Sequence, residues 1–197
     1  MEGIPVRRIE PAEQERAAAV HVAAFVSDPL TRWAYPDAHE YLQRFSEIAL
    51  LLGRQSFDHG TADEGDDLGG VAYWLPAGVD FDFGPLEEYL RRTMEARRRD
   101  ELFSLFEQMD GYQIQEPHWH LTKIGVDPAR QGQGIGSALM QHRLAACDEE
   151  GLPAYLESSN PANLPFYERH GFEVLGEIQA GSSPKLFPML RGPRPRP

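Results

Sequence analysis

The spacing of hydrophobic positions changes several times along this chain, and each change marks an element. Val6 to Ile9 reads as a short strand. Pro11 then stands at a favourable helix start, and Ala12 to Phe25 carries alanine and apolar residues at helical spacing. Ser27-Asp28-Pro29 breaks that pattern. Tyr41, Leu42, Phe45, Ile48, Ala49 and Leu52 recur at three- and four-residue steps and predict a helix from Asp37 to about Phe57. Gly60 to Gly70 is acidic and glycine-containing, which predicts a loop with a weak strand on its N-terminal side. Val71 to Leu75 reads as a strand ended by Pro76, and Leu86 to Met109 as helix in two pieces around Arg97-Arg98-Arg99-Asp100.

The second half is sharper. Trp119 to Val126 predicts a strand, Asp127 to Gln133 a loop, and Gly134 to Glu150 a helix that Gly151 ends as a C-cap. Ala154 to Ser158 is a strand, and Asn163 to His170 a short helix closed by Gly171. Glu173 to Ile178 and Lys185 to Leu190 read as a closing hairpin, and Gly192 to Pro197 as a disordered Pro/Arg tail. Strands and helices mix without strict alternation, so one α+β domain over residues 1–191 with a mixed sheet is expected.

Composition narrows the function classes. The 197 residues carry 19 Lys and Arg against 31 Asp and Glu, a net charge of −12, which argues against nucleic-acid phosphates as the main partner and is compatible with a cationic small molecule. Cys147 is the single cysteine, which excludes an intrachain disulfide and a cysteine-rich zinc site; its apolar neighbours make it a core residue. Met1 to Ile9 has no apolar signal core, and Ile48 to Leu52 is far too short to span a bilayer. A cytoplasmic protein is therefore expected, with a homodimer as the base-rate assembly. No metal is expected, because no third ligand stands at metal-site spacing from His118 and His120.

The informative segment runs from Val126 to Ser137, Val-Asp-Pro-Ala-Arg-Gln-Gly-Gln-Gly-Ile-Gly-Ser, between a strand and a helix. Alternate glycines let a backbone approach a ligand closely, and the following helix N-terminus adds unpaired amides that suit a pyrophosphate. A P-loop is excluded, because no Gly-Lys-Ser/Thr follows. A dinucleotide fingerprint stays open: its glycine spacing is not met, but Glu157 ends the next strand where a ribose-binding acid would lie. A turn that merely allows close helix–sheet packing is the third reading.

Gln131-Gly132-Gln133-Gly134-Ile135-Gly136 also resembles the Q/R-x-x-G-x-G/A signature of the GNAT superfamily of acyl-CoA-dependent N-acyltransferases. Asn163-Leu164-Pro165-Phe166-Tyr167, followed by Gly171-Phe172, resembles that family's second landmark, and the two motifs stand in the family's order. The likeness is most specific over residues 119–174. Ala24 to Arg32 and Leu156-Glu157-Ser158-Ser159 are further similar to the puromycin N-acetyltransferase branch.

This resemblance implies a single-domain GNAT fold, acetyl-CoA as co-substrate and a small-molecule amine as acceptor. It implies that Ile124, Gly125 and Val126 line the pantetheine arm, with Gly125 permitting close approach. Gln131, Gly132, Gln133, Gly134, Ile135, Gly136 and Ser137 would hold the diphosphate, with Arg130 and Arg169 adding charge and Asn163, Phe166 and Tyr167 meeting the cofactor. A tyrosine hydroxyl of pKa about 10 can donate to a leaving thiolate of pKa about 8.5, which makes Tyr167 the candidate acid. His118 and His120 share a strand face and, with Glu116 and Glu157, are the candidate bases; of these His120 and Glu157 are preferred. A solvated amine needing no dedicated base, a peptide or protein acceptor, and a non-catalytic CoA-binding module are the alternatives.

Overall fold

The computed structural model describes residues 3–112 and 114–194. Its strands are β1 (Val6–Arg8), β2 (Ala62–Gly65), β3 (Gly70–Leu75), β4 (Trp119–Val126), β5 (Ala154–Ser158), β6 (Glu173–Val174) and β7 (Phe187–Arg191). They form one mixed sheet in the order β1-β2-β3-β4-β5-β7-β6. Only β4 and β5 run parallel; the other neighbours are antiparallel. The helices are α1 (Gln14–Ala24), α2 (Pro29–Ala34), α3 (Ala38–His59), α4 (Gly84–Thr93), α5 (Ala96–Asp110), α6 (Ile135–Glu150) and α7 (Leu164–Arg169).

Strand alternation builds the layers. On β3, Ala72 and Trp74 join Leu139, Met140 and Leu144 of α6 in one core, while Val71 and Tyr73 face Ala17 of α1 and Phe57 of α3 on the other side. Every residue of β3 is buried, as expected of a strand covered on both faces. A third apolar cluster joins Tyr41, Phe45 and Ile48 of α3 to Leu86 and Leu90 of α4 and Leu102 and Leu105 of α5. This cluster roofs one end of the sheet.

Several boundaries differ from the sequence expectation. Ser27-Asp28-Pro29 does end α1, but it also starts α2: the Asp28 carboxylate accepts the Thr31 amide at 2.9 Å and Pro29 occupies the first turn. The break between α4 and α5 falls at Met94–Glu95 rather than within the arginine run, because Glu95 caps α5 through the amides of Arg97 and Arg98. The first strand stops at Arg8. The penultimate strand stops at Val174 instead of Ile178. Tyr112 packs over Gly176, where a Cβ would lie 2.3 Å from its hydroxyl, and Ile178 only bridges to Leu186. The last strand is shifted to Phe187–Arg191. Of the expected tail, residues 195–197 lie outside the described residues, while Arg194 is tied down by its amide to Asp148 Oδ1 at 2.7 Å.

Cys147 is fully buried in the α6 core, and burial pushes its thiol up to about 12. A thiolate-directed reagent at neutral pH is therefore expected to label the denatured chain and to leave the folded one unlabelled over the same time. Rapid labelling of the native protein would contradict this burial.

Candidate active site

The sheet opens where the site lies. β4 pairs with β3 along its length, from His120 to Val126. Its parallel pairing with β5 covers only Trp119–Leu121 against Ala154–Leu156. Beyond Leu121 no strand among the described residues lies against the β5-side edge of β4, so a cleft opens between the two strands. A cavity of about 590 Å³ starts there and runs beneath α4 and α5.

One irregularity sets what faces the cavity. Thr122 is an extra residue in β4, a bulge between the pairs Trp74–Leu121 and Tyr73–Lys123. Thr122 Oγ1 donates to the Tyr73 carbonyl at 3.2 Å. The bulge shifts the alternation, so His120 and Lys123 both line the cavity although they are three apart. Simple alternation would have put them on opposite faces.

His120 Nε2 lies 3.0 Å from Glu157 Oε2, and both side chains are mostly buried. A carboxylate only accepts, so Nε2 carries the proton and Nδ1 keeps a lone pair. The Tyr155 ring packs 5.4 Å from that of His120. His118 also lines the cavity, with Nδ1 donating to the Glu116 carbonyl at 2.9 Å. The Glu116 side chain is not on the cavity wall. Tyr167 and Asn163 enter from α7. Asn163 stands at the N-cap position of α7 but makes no side-chain capping bond. Tyr167 is 7% exposed; burial, with the negative charge of Asp28, raises its hydroxyl above the ordinary tyrosine value.

The glycine loop follows β4 directly. Gly132 and Gly134 have φ of +77° and +90°, the left-handed region that glycine tolerates. Gly134 is the N-cap of α6 and provides no side-chain cap, so the first-turn amides of that 16-residue helix have no side chain on them. Gln131 Nε2 donates to the Val126 carbonyl at 3.2 Å and braces the loop. The Phe166 ring packs 3.5 Å from where a Cβ on Gly136 would lie, which docks α7 on the start of α6. An open β4 edge, two left-handed glycines and an uncapped helix start fit the extended arm and diphosphate of coenzyme A.

Three expected contacts look different in three dimensions. A Cβ on Gly125 would meet Ala24 Cβ at 2.8 Å and His21 Nδ1 at 2.9 Å, so the close approach Gly125 permits is that of α1. Arg130 is ion-paired with Asp66 and donates to the Asp66 carbonyl at 2.7 Å. Its charge therefore holds the β2–β3 turn, where Asp66, Asp67 and Leu68 all have positive φ. Arg169 is exposed at the end of α7; like Gln131 to Ser137, it lies outside the cavity wall. Among the described residues no cluster of side chains could hold a metal ion, and no helix is long and apolar enough to cross a membrane.

Sequence reasoning missed Lys123, Asp28 and Ser159. Ser159 Oγ donates to Asp28 Oδ2 at 2.6 Å, joining the α1–α2 turn to the end of β5. The Lys123 ammonium lies 3.7 Å from the centroid of Phe25 and 4.8 Å from that of Phe45, and burial lowers it to about 8. A base lowered in the folded state makes the charged form costly. The cost is full below pH 8, where both states are protonated, and vanishes above about 10.5. The shift corresponds to about 3 kcal/mol at most, offset by ring contacts worth about 1 kcal/mol or more. Lys123→Met is thus expected to stabilise the protein by about 1–2 kcal/mol at pH 7 and by almost nothing at pH 10.5, read from urea unfolding at both. An equal effect at the two pH values would contradict a buried charge.

Comparison with known proteins agrees with this geometry. Residues 31–172 match the acetyltransferase (GNAT) family. The chain is 29% identical over 180 residues to an uncharacterized N-acetyltransferase of Schizosaccharomyces pombe, covering 84% of this chain and 73% of that protein. It is 44% identical over 71 residues to mycothiol acetyltransferase of Mycobacteroides abscessus, covering 29% of this chain and 24% of the other. A Corynebacterium glutamicum structure described as histone acetyltransferase HPA2 and related acetyltransferase superposes with a TM-score of 0.72, at 23% identity over 99% of both chains. Arylalkylamine N-acetyltransferase 2 of Aedes aegypti does so with a TM-score of 0.70, at 12% identity over 98% of this chain and 100% of that one; both likenesses concern the fold. With a splayed β4–β5 pair, a glycine loop opening α6 and a family match over most of its length, the chain belongs to the GNAT family of acetyltransferases.

Proposed function

We propose that this protein is an acetyl-CoA-dependent N-acetyltransferase that acts on a primary amine of a small molecule by direct attack on the thioester. The observation that carries the proposal is the sharing of one cavity by Tyr167, Asn163 and the hydrogen-bonded His120–Glu157 pair, at the point where β4 and β5 part. Acetyl-CoA, when bound, supplies an activated acetyl group on a thiol leaving group. The residues from Gln131 to Ser137 bind its diphosphate, and the open edge of β4 binds the arm and directs the acyl end toward Tyr167. His120, with Nδ1 free to accept, takes the proton that the attacking nitrogen must lose as its bond to the carbonyl carbon forms. Glu157 accepts from Nε2 and holds the ring in that tautomer. Tyr167 donates a hydrogen bond to the sulfur as the carbon–sulfur bond breaks.

The roof of α4 and α5 over the cavity supports a small acceptor rather than a chain lying across an open groove. The motifs around Asp28, Ser159 and Asn163 support a place in the puromycin N-acetyltransferase-like branch, without fixing that substrate. The test is thiol release from acetyl-CoA against aminonucleosides, aminoglycosides, polyamines, arylalkylamines, amino acids and short peptides. Release that depends on a small amine is expected. Cofactor binding without turnover on any acceptor, or turnover on peptides alone, would overturn the proposal.

A further inference from the structure

Lys123 takes no part in the transfer chemistry described, yet its side chain lines the same cavity. Its ammonium rests on the rings of Phe25 and Phe45, and among the described residues it makes no ion pair or hydrogen bond. The Asp28 carboxylate acts on it only through space, partly offsetting its burial, because the hydrogen bonds of Asp28 go elsewhere: Oδ1 accepts the amide and hydroxyl of Thr31, each at 2.9 Å, and Oδ2 accepts Ser159. His21, behind Gly125, is held neutral by burial and by the Lys123 charge itself, so it supplies no counter-charge. Ring faces offset only part of the cost of a desolvated ammonium. A cation kept in a cavity wall with no direct ion-pair or hydrogen-bond partner offers a seat for an anion. The segment between β3 and β4 adds the aromatic rings of Phe81, Phe83, Phe103 and Phe106 to the wall together with acidic side chains, Asp80, Glu87 and Glu107 among them.

We propose that Lys123 is the counter-ion for a carboxylate, and that the acceptor is an amino carboxylate: a primary amine and a carboxylate on an apolar or aromatic body. This rests on the acetyltransferase reading. The bulge at Thr122 places Lys123 and His120 on one face, roughly two residues of strand rise apart, about 6–7 Å. One end of such a molecule meets Lys123 while its amine meets His120. A carboxylate carried on the acyl group of the donor has the same chemistry, so the experiment separates the two sources.

The test compares matched pairs with acetyl-CoA: phenylalanine against phenethylamine, and 4-aminomethylbenzoate against benzylamine. The carboxylate-bearing member of at least one pair is expected to have about 30-fold higher kcat/KM. Lys123→Met should bring that ratio to within about threefold, and Lys123→Arg should keep its direction. A second arm compares succinyl-CoA with acetyl-CoA on phenethylamine. Lys123-dependence confined to this arm assigns the carboxylate to the donor and overturns the proposed acceptor class. A third arm measures 3-phenylpropionate binding by calorimetry, with affinity about tenfold weaker in Lys123→Met. That ligand cannot be acetylated, so Lys123-dependent binding without turnover on any amine would sink the acetyltransferase reading and leave the carboxylate site standing. No carboxylate preference in either pair, together with no Lys123-dependent binding, overturns the inference.

Discussion

Replacing Tyr167 by phenylalanine is expected to lower kcat for acetyl transfer by about 10²-fold, while the dissociation constant of acetyl-CoA changes by less than about threefold. The ring packs between Phe166 and Phe172 at centroid distances of 5.2 and 6.2 Å, and phenylalanine preserves those contacts. What disappears is one hydroxyl on the cavity wall. Because burial and Asp28 raise that hydroxyl, it stays protonated across the ordinary assay range. A phenol weaker as an acid than a thiol does not hand over its proton outright. It stabilises the developing thiolate through a hydrogen bond, and the net proton balance is closed by the nitrogen that becomes an amide. The loss should fall on kcat and kcat/KM alike, with binding spared. A variant with wild-type kcat would remove Tyr167 from the chemistry. A variant that lost cofactor affinity instead would make it a packing residue.

Much of this arrangement is readable in one dimension, for a specific reason. The segment from Trp119 to Phe172 is governed by local rules: a strand, a turn needing left-handed glycines, a helix with a glycine C-cap, and a short Asn-to-Tyr helix. Each rule needs only a few neighbours, so the glycine loop and Tyr167 show in the residue pattern itself. The preference for His120 and Glu157 is different. Sequence makes both candidate bases but says nothing of their being 3.0 Å apart, because that contact depends on the parallel register of β4 and β5.

What stayed hidden depends on non-local packing. The bulge at Thr122 has no glycine or proline to announce it, and it alone turns Lys123 toward the cavity. Asp28 reads as a helix breaker, and its second role, accepting from Ser159 across the site, follows from the folding back of a chain that separates the two by 131 positions. Gly125 and Arg130 also have tertiary neighbours that their sequence context does not show: α1 packs against Gly125, and Asp66 pairs with Arg130.

The base pair is tested most sharply by two amide variants. His120→Gln should lower kcat/KM by about 10²-fold, within the range for loss of a positioned general base. Glu157→Gln retains an amide oxygen that can still accept from Nε2, so the ring should keep its tautomer and lose only the neighbouring charge. kcat/KM should then fall about tenfold, less than for loss of the ring itself. A loss of that smaller size is what a positioning carboxylate predicts; a carboxylate that itself took the proton would lose as much on becoming an amide as His120 does. If neither variant changes kcat/KM, the nitrogen gives up its proton to solvent, and the His120–Glu157 hydrogen bond serves only to hold β4 to β5.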